Sequence, residues 1–152
     1  MLWDVQPDRF TAKSQEAIQT AQRLAAASKN PEITPAHLLV ALLEQEEGLV
    51  PAVLNKLGAD LPSIKNRARQ ALADLPTLGE GAGPDLRPSS ALSEVLRRAE
   101  GEMGQMGDEY VSTEHLLLAI CDGTPLAELL PDRGSLLKAI GEVRGPHKVT
   151  SP

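Results

Sequence analysis

The chain has 152 residues, 41% of them hydrophobic and 2% aromatic, with a formal net charge of −6. Acidic side chains outnumber basic ones twelve to seven over residues 76–152 and nine to eight over 1–75, and no Lys/Arg run occurs. Nucleic acid and anionic membrane are therefore not expected partners, because both are met by clustered cations. The single cysteine, Cys121, excludes an internal disulfide and fits a reducing, cytoplasmic compartment.

The opening stretch MLWDVQPDRF has neither a basic nor a long apolar region, so it is not expected to be a signal peptide. No apolar run approaches the length of a membrane span. Trp3, Phe10 and Tyr110 are the whole aromatic set. The core must then be Leu, Ile, Val, Ala and Met, which suits helix-on-helix packing.

Helical periodicity runs through the chain. The first helix covers 11–28, with Thr11 as N-cap and Ala17, Ile18, Ala21, Leu24 and Ala25 on one stripe. Asn30-Pro31 breaks it. A second, very apolar helix runs from Pro35 to Gln45, a third from Leu49 to Leu57, and a fourth from Pro62 to Asp74. Gly58 stands at the C′ position of the third. Residues 76–88, PTLGEGAGPDLRP, hold three prolines and the glycines 79, 81 and 83, and read as a linker. A fifth helix starts at Ser89, with Leu92, Val95, Leu96, Ala99, Met103 and Met106 on its stripe. A sixth spans Thr113 to Cys121, a short seventh Pro125 to Leu130, and an eighth Gly134 to Val143. The polar, proline-bounded tail over 146–152 reads as the start of an interdomain linker.

Residues 11–43 superpose on 89–121 at an offset of 78 without a gap: Thr11 falls on Ser89, Ile18 on Leu96, His37 on His115 and Ala41 on Ala119. The later helices align only with a gap. The fold expected is all-α: a duplicated four-helix repeat of about eight helices with pseudo-two-fold symmetry, one copy over 10–75 and the other over 89–145, in one domain spanning 1–145. The second helix of each copy, apolar on most sides, should be its most buried element.

The two histidines fit this frame. In ITPAHLLVAL, Thr34 is the N-cap, Pro35 is N1 and His37 is N3, with Ile33 and Leu38 as a hydrophobic staple. In VSTEHLLLAI, Ser112 is the N-cap and His115 is N3. Both imidazoles stand where a capping box puts Glu or Gln. A metal or catalytic role would have to recruit Cys121 and further ligands, so a structural role is expected and no metal. No Gly-x-x-x-x-Gly-Lys-Ser/Thr loop occurs, so neither nucleotide binding nor enzymatic activity is expected of this chain. Asp108, Glu109 and Glu114 surround the second helix start, as a solvated face or as the polar rim of a groove.

ITPAHLLVAL and VSTEHLLLAI, with the regions FTAKSQEAI and EVRGPHKVTSP, resemble the Clp amino-terminal repeat, the domain that leads AAA+ protein-unfolding ATPases. LADLPTLGEGAGPDLRPSSAL is similar to the connection in the disaggregase branch, ClpB, and NPEITPAHLL and DEYVSTEHLL resemble actinobacterial members. The resemblance implies a domain that engages exposed apolar segments of unfolded or aggregated polypeptides. Threading would follow in ATPase modules outside this chain, which would use ATP and Mg, work as a hexamer and cooperate with the DnaK system. It also implies that Thr11, Asp108 and Glu114 are the substrate contacts. Glu102 stands where an apolar residue is expected, which shifts the groove toward Met103, Met106 and Tyr110. The alternative it implies is adaptor docking, as in ClpC- or ClpA-type unfoldases of protease complexes.

Overall fold

A computed structural model gives the fold and describes residues 7–78 and 86–152. Trp3 and the linker glycines 79, 81 and 83 lie outside the described residues. After a single 3-10 turn (Pro7–Arg9), the elements in the first half are α1 (Ala12–Ala27), β1 (Glu32–Ile33), α2 (Pro35–Leu43), α3 (Leu49–Lys56) and α4 (Leu61–Ala73). The second half has β2 (Arg87–Pro88), α5 (Ser90–Gln105), α6 (Thr113–Gly123), a 3-10 turn (Pro125–Leu129) and α7 (Arg133–Arg144).

Local chemistry starts four of these helices. The hydroxyl of Thr11 accepts the Ser14 N–H at 3.2 Å, and that of Ser89 accepts the Leu92 N–H at 3.0 Å. Asp60 and Asp132 cap α4 and α7 through the N–H groups of Ser63 and Ser135. Gly58 follows α3 at φ +69°, in the left-handed region where a side chain would be strained.

The short seventh helix expected from sequence is present, as a 3-10 helix over Pro125–Leu129. Pro131 holds Leu130 in extended backbone, at φ −115° and ψ 155°, so the segment closes after one 3-10 turn. The two short strands are a further departure from an all-helical reading.

The centre is helical and apolar. All nine residues of α2 are buried, and in α6 burial runs from Thr113 to Ile120. Both are the elements expected to be innermost. They pack on each other, each lies along the first helix of its own copy, and each also touches the first helix of the other copy.

The short strands explain that crossing. Phe10 bridges Val111 in parallel, and the Thr11 N–H donates to the Val111 carbonyl at 3.0 Å. Ile33 pairs with Pro88 in parallel, and the Ser89 N–H donates to the Ile33 carbonyl at 2.9 Å. Each residue of the first bridge is displaced by 78 from its counterpart in the second. The start of each copy's first helix is therefore tied to the start of the other copy's second helix. The two copies form one core, and the pseudo-two-fold relation extends to individual hydrogen bonds.

Candidate functional site

The two helix starts at the centre are built alike. The Thr34 N–H donates to His37 Nδ1 at 2.9 Å, so the ring hydrogen is on Nε2, which donates to Asn30 Oδ1 at 2.8 Å. The Asn30 amide in turn donates to the Pro76 carbonyl at 3.0 Å. In the second copy the Ser112 N–H donates to His115 Nδ1 at 2.8 Å, and Nε2 donates to Asp108 Oδ2 at 2.7 Å. Both rings are 0% exposed. Burial lowers the pKa of His37 to about 4. These are capping boxes in which imidazole replaces the usual carboxylate or amide.

Ser112, His115 and Asp108 also form a Ser–His–Asp constellation, with Ser112 Oγ 3.1 Å from His115 Nδ1. It is not arranged for nucleophilic catalysis. The Nδ1 that would take the hydroxyl proton already accepts a backbone N–H, and the ring is sealed from any substrate. Thr34, His37 and Asn30 repeat the arrangement with an amide in place of the carboxylate.

What sets the second copy apart is charge. Asp108 and Glu114 are not a solvated face: their side chains are 0% and 3% exposed. Asp108 accepts four hydrogen bonds. Oδ1 takes Arg144 Nη2 at 2.6 Å and the Val149 N–H at 2.9 Å. Oδ2 takes Arg144 Nη1 at 3.0 Å and His115 Nε2 at 2.7 Å. That fills the acceptor capacity of a carboxylate. Burial alone would raise the pKa of Asp108. The bonds from Arg144, Val149 and His115 outweigh it and lower the pKa to about 2. Arg144 Nη1 also lies 3.5 Å from Glu114 Oε2. Burial disfavours the charged guanidinium, but its bonds to Asp108 and the fields of Glu114 and Asp108 raise its pKa overall.

The chain after α7 crosses this cluster. Lys148 Nζ donates to the Met106 carbonyl at 2.7 Å, and the Glu109 N–H donates to the Val149 carbonyl at 2.7 Å. The Ala12 N–H, in the first turn of α1, donates to the Pro152 carbonyl at 3.4 Å. The structure thus brings the Thr11 end of α1, Asp108, Glu114 and Met106 around one segment. The polar groups of Thr11 itself are engaged within the fold, with Ser14 and Val111.

Met103 is buried in the core, whereas Met106 and Tyr110 are half-buried. Glu102 does not stand free in a groove: it is buried and takes Arg133 Nη2 at 2.7 Å. Cys121 is half-buried, its thiol directed at the Pro131 carbonyl at 3.6 Å, and burial raises its pKa. Arg144 and Val149 were not legible as site residues, because no local pattern marks either. Asn30 was within reach, since it falls on Asp108 at the offset of 78.

Residues 9–132 match the family described as the Clp repeat (R) N-terminal domain. The chaperone protein ClpB of Corynebacterium diphtheriae is 44% identical over 149 residues, covering 93% of this chain and 17% of that protein. The chain therefore spans only about a sixth of the curated relative it matches. The N-terminal domain of Hsp104 from Candida albicans superposes with a TM-score of 0.83 at 21% identity, covering 93% of this chain and 95% of that one. A ClpV N-domain solved in complex with a VipB peptide superposes at 0.62, with 22% identity, covering 88% and 78% of the two chains. No helix among the described residues is long and apolar enough to cross a membrane. With the duplicated capping frame, the crossed bridges and these likenesses in agreement, the chain belongs to the Clp repeat N-terminal domain family.

Proposed function

We propose that this chain is the substrate-engaging N-terminal domain of a ClpB-type, ATP-dependent disaggregase in the cytoplasm. It binds exposed apolar segments of unfolded or aggregated polypeptides. One observation carries the reading: the Asp108–Glu109 edge already holds the backbone of Val149, through one carboxylate oxygen and one backbone N–H. Contacts of that kind are made to peptide groups, so they tolerate many sequences. Half-buried Met106 and Tyr110 flank the edge, and a thioether adapts its shape to varied apolar side chains. The VipB peptide bound to a ClpV N-domain supports the idea that this fold can seat a peptide. In the whole protein, nucleotide and Mg, hexamer formation and cooperation with the DnaK system would belong to regions outside this chain. Weak contacts would then gain from six-fold avidity.

The test is an NMR titration of the 15N-labelled chain with reduced, carboxymethylated α-lactalbumin, which stays unfolded. Amide shifts should concentrate at Thr11, Ala12, Asp108, Glu109 and Glu114. Shifts confined to α4 would refute the site, and the absence of any shift would refute the reading.

A further inference from the structure

The segment after α7 is seated across the residues to which the proposed function assigns substrate contact. Its backbone is well held, by Asp108 Oδ1, the Glu109 N–H and the Ala12 N–H. Of its side chains, Lys148 alone is shown anchored, through Nζ to the Met106 carbonyl at 2.7 Å. Pro146, His147, Lys148 and Thr150 are exposed, and only Val149 is half-buried. A pocket of about 140 Å³ remains between Met106, Gly141 and the segment's own Pro146, His147 and Lys148. The seat thus grips the backbone of Val149, while space beside Met106 and Arg144 is left unfilled.

We propose that residues 146–152 are an internal competitor for the polypeptide-binding edge: they close the site when it is empty and are displaced when a more apolar extended segment binds. The inference rests on the proposed function and adds a regulation to it. An occupant held by backbone bonds and one exposed ammonium is weak, because peptide N–H and C=O groups and a lysine are well served by water once released. A substrate segment can make the same backbone bonds and can also place an apolar side chain in the space of about 140 Å³ beside Met106. The occupant is therefore exchangeable, and displacement has a mechanical consequence. The same residues join α7 to whatever follows, so substrate binding would release the stretch that tethers the domain. Linkage makes the effect reciprocal: whatever pulls the segment away raises affinity for substrate.

Three forms of the chain test this: the 152-residue protein, a form ending at Gly145, and Val149→Pro. The last removes the N–H that Asp108 accepts and leaves the segment in place. Binding of fluorescein-labelled, reduced and carboxymethylated α-lactalbumin is read by anisotropy, and hydrogen exchange is followed at Glu109 and Val149. The proposal expects both amides to be protected in the parent chain. It also expects affinity about tenfold higher in the shortened form and in Val149→Pro, since a site closed nine-tenths of the time binds tenfold more weakly. A synthetic peptide with the sequence of residues 146–152 should compete with α-lactalbumin for the shortened form. Protected amides with equal affinity in all three forms would overturn the competition and leave the proposed function intact. Unprotected amides with equal affinity would overturn the docking itself. If no form binds α-lactalbumin, the proposed function fails and the competition with it, while the exchange data still report whether the segment is docked.

Discussion

The two helix-start corners share one backbone design and differ in what they carry. In the first copy, His37 is fastened by the amide of Asn30, and Ala36 stands at the second helical position. In the second copy, His115 is fastened by the carboxylate of Asp108, and Glu114 occupies the equivalent place. The offset between the copies drops from 78 to 72 by the last helix, as the caps Asp60 and Asp132 show, so Leu72 corresponds to Arg144. A neutral corner has thus become a buried cluster of two carboxylates and one guanidinium. Both corners are crossed by the chain leaving the last helix. The Leu78 N–H donates to the Lys29 carbonyl at 2.7 Å in one, and the Val149 carbonyl accepts from the Glu109 N–H at 2.7 Å in the other. In the first copy that chain runs on toward the second repeat; in the second it is the segment that follows α7. Holding a helix start requires only the neutral version; the charged version in the second copy also takes the backbone N–H of Val149.

The largest effect should come from breaking the charged corner. Asp108→Ala leaves the buried guanidinium of Arg144 and the Nε2 hydrogen of His115 without their main partner, and should cost about 3–5 kcal/mol. Asn30→Ala removes one neutral bond from His37 and should cost about 1–3 kcal/mol. Urea unfolding of the two variants checks the difference; equal losses would mean that the charges do not distinguish the corners.

Acid separates the corners next. The pKa of His37 falls from 6.5 to about 4 on folding, so the unfolded chain binds the extra proton first. Its contribution is complete above about pH 6.5 and declines as pH drops through that window, the loss reaching roughly 3 kcal/mol by pH 4. Asp108, lowered from 3.8 to about 2, acts in a lower window: its contribution is complete above about pH 3.8 and is lost toward pH 2. Unfolding free energy measured from pH 7 to pH 3 should therefore fall first through the neutral corner. His37→Gln should flatten the curve between pH 6.5 and 4; an unchanged slope there would contradict the assignment.

The smallest effect sharpens the symmetry itself. Thr11 and Ser89 are equivalent caps, each holding one first-turn N–H. Thr11→Ala and Ser89→Ala should each lower stability by about 1 kcal/mol, with thermal unfolding as the readout. A loss at Thr11 several times larger would show that this position carries strain or contacts its twin lacks.

The apolar stripe of α1, the proline at N1 of α2, the histidine at N3 and the linker breakers are local signals, and they placed the helices and the duplication from residue order alone. The short seventh helix was placed to within a residue, but its 3-10 type was not legible, since spacing alone does not tell the two helix types apart over five residues. Asp108 and Glu114 were identifiable as candidates because they flank a helix start. Their burial was not legible, since it depends on Arg144, thirty or more residues away along the chain, and on Val149 beyond it. Glu102 was out of place among apolar neighbours until Arg133 supplied its partner.

Sequence by itself therefore determined the repeat, the caps and the inward faces, all of which rest on spacings of one to four residues and on one internal copy. Tertiary structure alone decided that the copies exchange their helix starts, that two acidic groups are buried around one arginine, and that the chain's last described residues lie across them. The physical reason is the range of the interactions. Caps and stripes are written within a helical turn, whereas a buried charge is tolerable only when partners distant in sequence are brought to it by the closed core.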